Sequence, residues 1–389
     1  MIDFDLGAES EAFRAEAREF LASVMTPELE ERVYRSGVSH DDDYRTQLRD
    51  RGWLAPSWPV EWGGQGRDPL EMIAFSEETQ RVHAPTYGIG TTMMVSKVIQ
   101  KVGTDELKRE ILPRALGGEI IIVLGFSEPE SGSDVASAKC RAVRDGDEWL
   151  INGQKMFTTN GHIGDYVFLL TRTNPDAPKH KGLTTFLVPM KQPGVEAQGV
   201  FTLSGERTNI TFYNDVRVPD RYRIGEVDEG WKVMTVSLQD EHSAGFASHC
   251  HAVVEHVEAW ARTAVRSDGT APIDDPDVRA RIMRAAAEAE VSRLLQRRAA
   301  WMDHVGIVPE AEGPMAKLFS SEAIERMSQD FTELLGPDGL RSYFDPSAPE
   351  GGRIEHAMRF SLGTTIYGGT SEVQRNIIAQ RGLGLPKPV

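Results

Sequence analysis

A chain of 389 residues, 40% hydrophobic and 26% charged, is long enough for two or three domains and has an ordinary globular mix. Its formal net charge of -16, from 59 acidic against 43 basic residues, makes it a poor general ligand for nucleic acid or an anionic membrane, so an anionic ligand needs a local basic pocket. Only two cysteines, Cys140 and Cys250, are present, which points to a reducing compartment.

The start, MIDFDLGAES, has neither the basic stretch nor the apolar core of a secretory signal. From about Glu9 to Gly117 the pattern is helical. SEAFRAEAREFLASVM sets Phe13, Ala17, Phe20, Leu21 and Val24 on one face at intervals of three and four. LAPSWPVEWGGQG then reads as a loop with aromatic packing anchors. DELKREILPRALGGE is a short helix stopped by Gly117 and Gly118. No uninterrupted apolar run is longer than Ile120 to Leu124, too short to cross a bilayer, so a soluble cytoplasmic protein without membrane association is expected.

From Glu119 to about Val227 the texture becomes β-rich. EWLINGQKMFTTNG, DYVFLLTRT, GLTTFLVPM and ITFYNDVRVP are short runs broken by Gly, Asn, Asp and Pro. Helical periodicity returns from Gly230 to Arg381, interrupted by the loop GPDGLRSYFDPSAPEGG, Gly336 to Gly352.

Several chemistries lack their motifs. There is no Gly-x-Gly-x-x-Gly after a strand, no phosphate loop and no Gly-x-Ser-x-Gly elbow. His242, His249 and His256 repeat every seven residues, with His251 and Glu241 nearby, but seven residues is about 10 Å of helix rise, so two such rings cannot share one ion. They read as polar residues on a helix face, and no metal site is expected. Arg293, Arg297 and Arg298 could grip a phosphate; a solvated face paired with Glu288 and Glu290 is the plainer reading.

Three separated segments carry more weight together: LGFSEPESGSD (Leu124 to Asp134), INGQKMFTTNG (Ile151 to Gly161) and IYGGTSEVQRNIIAQRGLG from Ile366 onward. With GWLAPSWPVEWGGQG and NDVRVPDRYRIGEVDEGW, they resemble in order and spacing the acyl-CoA dehydrogenase family of flavoproteins, over nearly the whole chain. The resemblance implies an α+β fold: an N-terminal helical domain (1–118), a middle β-barrel-like domain (119–228) and a C-terminal helical bundle (229–389). It implies FAD as cofactor, an acyl-CoA substrate, and electron-transfer flavoprotein or a similar acceptor. By motif position, Phe126 and Ser127 would contact the flavin ring edge, and Ser133 would lie near the phosphates or the thioester ligand. Phe157 would lie against the flavin and Thr159 at N5. Gly369, Thr370 and Glu372 match cofactor positions, the last two at the adenosine half.

Family members remove an α proton with a carboxylate base while a hydride leaves the β carbon. Many carry that base after the Tyr of the third segment, where this chain has Gly368. A second group carries it on the first helix of the C-terminal domain, here GWKVMTVSLQDEHSAGFAS, and the match falls on Glu241, beside Asp240. The residue after it is His242, where the family commonly has Arg. At Gly368 the family uses the backbone N–H to bind the thioester carbonyl, a donor that Gly retains. Gly368 also leaves room beside the α carbon for a branched or bulky acyl chain.

Two flavin-contacting stretches depart from the family. ARTAVRSDGTAPIDDPD lacks an Arg-x-x-Phe-Gly, and ELLGPDG carries Glu333 in place of Gln and Pro337 in place of Gly. The pattern is similar to bacterial members that form heterotetramers with a related subunit, some acting on steroid side-chain thioesters. A catalytic dehydrogenase subunit is therefore expected. A non-catalytic, flavin-completing partner is the alternative, and a flavin oxidase on the same fold is a third.

Overall fold

The computed structural model describes the backbone of residues 4–241 and 245–386, and leaves out the side chains of 238–241. Helices α1 (Gly7–Val24), α2 (Pro27–Ser36), α3 (Asp42–Asp50), α4 (Pro69–Arg81), α5 (Tyr87–Val102) and α6 (Asp105–Leu116) come first. Strands follow: β1 (Ile122–Gly125), β2 (Arg141–Asp145), β3 (Glu148–Lys155), β4 (Tyr166–Arg172), β5 (Leu183–Pro189), β6 (Val195–Phe201), β7 (Arg207–Pro219) and β8 (Arg223–Ile224). The chain closes with α7 (Gly230–Glu241), α8 (Ala247–Thr263), α9 (Pro276–His304), α10 (Glu312–Leu335), α11 (Arg353–Thr364) and α12 (Ser371–Ile377).

The sequence signals for these elements act as expected. The face of α1 is buried at Phe13, Ala17, Phe20, Leu21 and Val24. Thr104 caps α6 by accepting from the Leu107 N–H, and the helix ends at Gly117. Asp68 and Glu71 form a reciprocal capping box at the start of α4. Trp53 and Trp58 are buried and anchor the loop that follows α3.

By contact the described residues form two compact units, neither of them a single stretch of sequence. One draws on residues 24–67 and 85–241, the other on 1–23, 68–84 and 242–389.

The first unit is built on a mixed sheet in the order β6-β7-β3-β2-β4-β5-β8, with β1 added parallel to β4. β4 and β5 are buried along almost their whole length, which explains the uninterrupted apolar runs YVFLL and FLV. Val95, Val98 and Ile99 of α5 and Ile111 and Leu112 of α6 share one core with these strands.

The second unit packs α8, α9, α10 and α11 around Val257, Ile282, Ile324 and Phe331. α1 and α4 also belong to it: the Phe13 and Phe75 rings stack 5.4 Å apart. Glu77 of α4 sits at the junction. It receives both Arg297 Nε and Nη2 of α9 at 2.9 Å and pairs with Arg14 Nη2 of α1 at 2.6 Å. The arginine cluster on α9 is thus divided among three carboxylates. Arg293 pairs with Glu290 as the sequence suggested, whereas Arg297 is committed to Glu77 and Arg298 to Glu312. Arg297 is buried, and neither the phosphate grip nor the solvated face describes it.

The histidines of α8 also differ from the expected polar face. The His249 ring stacks on Phe360 (5.1 Å, 15°) and meets His83 edge-on at 5.2 Å. Burial, then the neighbouring His83 and His356, hold its pKa down to about 3, and burial and Arg353 hold that of His256 to about 4. His242 lies outside the described residues. Among the described residues no group of three or more His, Cys, Asp or Glu side chains could hold a metal ion, and no helix is long and apolar enough to cross a membrane.

Candidate functional site

The site residues expected from the sequence fall into two groups, one on each unit. In the sheet unit, Phe126 and Ser127 leave the end of β1, and Phe157 and Thr159 leave the end of β3. The structure brings these two segments together. The Met156 N–H donates to the Ser127 carbonyl at 2.8 Å, and Lys155 Nζ donates to the Phe126 carbonyl at 3.1 Å. Phe126 packs its ring edge-on to Phe168 of β4 at 5.3 Å, which fixes its direction. Ser133 lies further along, exposed, in the turn before a short 3-10 segment at Val135–Ser137.

The turn after β3 is strained. Phe157 has φ 59° and Asn160 φ 61°, a conformation costly for a bulky side chain. Neighbouring bonds hold it: the Thr158 N–H donates to the Asn209 carbonyl, Asn209 Nδ2 donates back to the Thr158 carbonyl, and the Ile163 and Gly164 N–H groups donate to the Asn160 carbonyl. Thr159 Oγ1 meets Thr208 Oγ1 at 3.2 Å. The outcome is a Phe157 ring 57% exposed on a rigid turn. An aromatic face held out at a cost in backbone strain suits a flat ligand.

In the helical unit, Gly368 and Gly369 precede α12 with φ 64° and 86°. This explains the doubled glycine, since both positions need the left-handed conformation that glycine adopts freely. The loop is held by its carbonyls. Gln374 Nε2 donates to the Gly368 carbonyl at 2.8 Å and the buried Lys317 Nζ donates to the Gly369 carbonyl at 2.6 Å. A Cβ on Gly369 would lie 2.7 Å from Gln374 Nε2. Thr370 caps α12 by accepting from the Val373 N–H. The Glu372 carboxyl is held below its usual range by its own backbone N–H and by the Thr370 hydroxyl.

Beside this loop is a cleft of about 490 Å³. Thr365, Thr370 and Ser371 line it with hydroxyls, and Glu322, Arg326 and Arg375 with charge. Ile366, which also lines it, is 65% exposed, and the next residue, Tyr367, 46%. Glu241 is the last residue of α7, and its side chain, with that of Asp240, lies outside the described residues.

Sequence reasoning passed over Lys155, Glu128, Lys317 and Gln374. A signal existed for the first: in EWLINGQK the alternation that buries Trp149 and Ile151 also sends Lys155 inward.

Each unit by itself offers a recognition surface: the sheet unit an aromatic ring on a strained turn, which suits a flat ring system, and the helical unit a hydroxyl-lined cleft beside a glycine loop, which suits a polar group. The chain matches three domain families in succession: acyl-CoA dehydrogenase N-terminal domain at residues 7–119, middle domain at 123–215 and C-terminal domain at 228–383. It belongs to the acyl-CoA dehydrogenase family. The acyl-CoA dehydrogenase FadE26 of Mycobacterium tuberculosis is 37% identical over 97% of this chain and 98% of its own length. FadE29 of the same organism is 33% identical over 98% of each. Among solved structures, the ChsE4-ChsE5 complex from Mycobacterium tuberculosis superposes with a TM-score of 0.90 at 36% identity, and the Tcur3481-Tcur3483 steroid ACAD with 0.90 at 34%, each over 100% of both chains.

The cofactor of the family is FAD, and the residues present fit it. Within the sheet unit, Phe157 offers an exposed apolar face for a flat ring; within the helical unit, taken by itself, the cleft at Thr370 to Arg375 offers hydroxyls and a guanidinium for a polar portion.

Proposed function

We propose that this chain is the catalytic subunit of an FAD-dependent acyl-CoA dehydrogenase acting on a branched or ring-bearing acyl thioester, such as a steroid side chain. The observation that carries this reading is the pairing of a glycine at 368 with a carboxylate at 241. The base position used by many members is vacant, and the alternative position at the end of α7 is filled. Relatives described as a steroid enzyme and as a two-protein complex support the substrate class and a related companion subunit.

In this mechanism Glu241 takes the α proton, and the Gly368 N–H donates to the thioester oxygen as charge develops there. FAD, when bound, supplies the acceptor for the β hydride. Phe157 would back the ring system. Ser127 and Thr159 would offer hydrogen bonds to its edge, with Phe126 beside them, and Ser133 would lie toward the phosphates or thioester. Thr370 and Glu372 would hold the adenosine half, with Gly369 as a further cofactor contact. Electron-transfer flavoprotein, or a similar acceptor outside the chain, would take the two electrons and complete the cycle on the acyl-CoA substrate.

The test is anaerobic stopped-flow bleaching of the flavin. Glu241→Gln keeps size and removes basicity, so flavin reduction by substrate should fall by about 10²–10⁴-fold with thioester binding nearly intact. Asp240→Asn should do much less, because adjacent helix positions point about 100° apart. Reduction at the wild-type rate in Glu241→Gln refutes the base assignment and favours the second reading, a non-catalytic flavin-completing subunit. That reading draws support from Glu333 and Pro337 in ELLGPDG.

A further inference from the structure

Lys155 is the last residue of β3 and is fully buried, with no exposed side-chain surface. Its ammonium donates to Glu128 Oε1 at 2.7 Å and to the Phe126 carbonyl at 3.1 Å. The Glu128 carboxylate is itself saturated: Oε1 also accepts from the Cys140 N–H at 2.9 Å, and Oε2 from the Lys139 N–H at 2.7 Å. Neither charge has solvent to fall back on, since Glu128 exposes only 7% of its side chain.

A buried ion pair of this kind is seldom the cheapest way to hold a fold, because apolar residues of similar volume often serve as well. What an apolar pair cannot do is grip a carbonyl. Lys155 takes the Phe126 carbonyl, and the next residue, Met156, takes the Ser127 carbonyl. Two adjacent residues of one segment therefore fasten two adjacent residues of the other. The fastening ends one residue before the strained Phe157.

We infer that Lys155 and Glu128 are a positioning pair that sets the register of the Phe126–Ser127 segment against the Phe157–Thr159 turn, and so shapes the face that receives the flavin ring. Neither touches the cofactor. Lys155 acts through the Phe126 carbonyl, and Glu128 acts by holding Lys155 and the chain at Lys139 and Cys140. The inference rests on the reading that these two segments face FAD.

The test separates stability from positioning, using the flavin-loaded protein isolated from its own cells with any companion subunit it retains. Lys155→Met alone strands a buried carboxylate and should lower the melting temperature sharply. Lys155→Met with Glu128→Gln removes the stranded charge and keeps one carboxamide oxygen, an acceptor for one of the Lys139 and Cys140 N–H groups. The double variant should recover part of the melting temperature. Its Kd for FAD should remain raised by about tenfold, with a shifted visible absorption band and midpoint potential, because the Phe126 carbonyl still lacks its donor. Phe157→Ala tests the underlying reading separately. If Phe157→Ala changes FAD affinity and spectrum while the double variant matches wild type in both, the pair is structural only and the inference fails. If neither variant alters the flavin, the two segments do not face it and the inference fails with that reading.

Discussion

Replacing Gly369 with Ala tests whether the loop before α12 is held as tightly as its geometry implies. Two costs add. At φ 86° an alanine pays about 1–2 kcal/mol for a left-handed backbone. Its Cβ would also lie 2.7 Å from Gln374 Nε2, so the amide must move. Gln374 is only 1% exposed, and its bond to the Gly368 carbonyl is lost when it moves, for about another 1–2 kcal/mol. The entropy removed from the unfolded chain returns about 0.5 kcal/mol. The net loss should be about 1.5–3.5 kcal/mol in urea denaturation. Gly269→Ala is the control: φ there is 85°, but nothing lies within 4 Å of the added Cβ, so only the backbone cost applies. Equal losses in the two variants would show that Gln374 yields freely and is no latch. A loss below about 0.5 kcal/mol for Gly369→Ala would refute the strain argument as well.

Glu77→Gln should cost about 3–5 kcal/mol in chemical denaturation, because Arg297 and Arg14 lose a buried counter-charge; adding Arg297→Met should restore part of it. Burial alone would raise the Glu77 carboxyl, yet Arg297 and Arg14 hold it below its usual range, so its contribution is present above pH 4.5 and lost as pH falls below that value. The imidazoles act in a higher window. His249 and His256 titrate near 3 and 4 when folded against about 6.5 unfolded, so the unfolded chain binds more protons and stability falls as pH drops from about 6.5 toward 4. Each should contribute a slope approaching about 1.4 kcal/mol per pH unit, and His249→Phe, which keeps the stack on Phe360, should remove one share of it. Bulky or branched acyl-CoA should be turned over with higher kcat/KM than butyryl-CoA; equal values would remove the case for extra room at Gly368.

The elements themselves were readable from the chain. Apolar spacing placed the face of α1, glycines marked the end of α6, and β-branched runs marked the strands. Phe126, Ser127, Phe157, Thr159 and the glycine pair could be proposed as site residues because short contiguous motifs carry them. What escaped depended on partners far apart in sequence. Lys155 and Glu128 are 27 residues apart, and Arg297 and Glu77 are 220. An arginine on a charged helix gives no local sign that its carboxylate lies on another helix. The left-handed Phe157 was equally silent, because the bonds of the next residue, Thr158, to the distant Asn209 impose it against local preference. The histidines of α8 misled for the converse reason: their seven-residue interval looked like a polar face, whereas His249 packs among aromatic rings.

The composition of the helical unit has a consequence for the nascent chain. α1 and α4 emerge early and can join through Phe13 and Phe75, and through Arg14 and Arg18 on Glu78. Glu77 must wait for Arg297. At about 5–20 residues per second, the 220 residues between them take roughly 10–45 s to make. In that interval the sheet unit, contained within residues 24–241, can close, while α1 and α4 hold open a half-built apolar face on which Glu77 has Arg14 but still lacks Arg297. α1 is therefore among the last helices to be secured, and termination after residue 241 but before α9 releases a chain with a complete sheet unit and an uncovered α1.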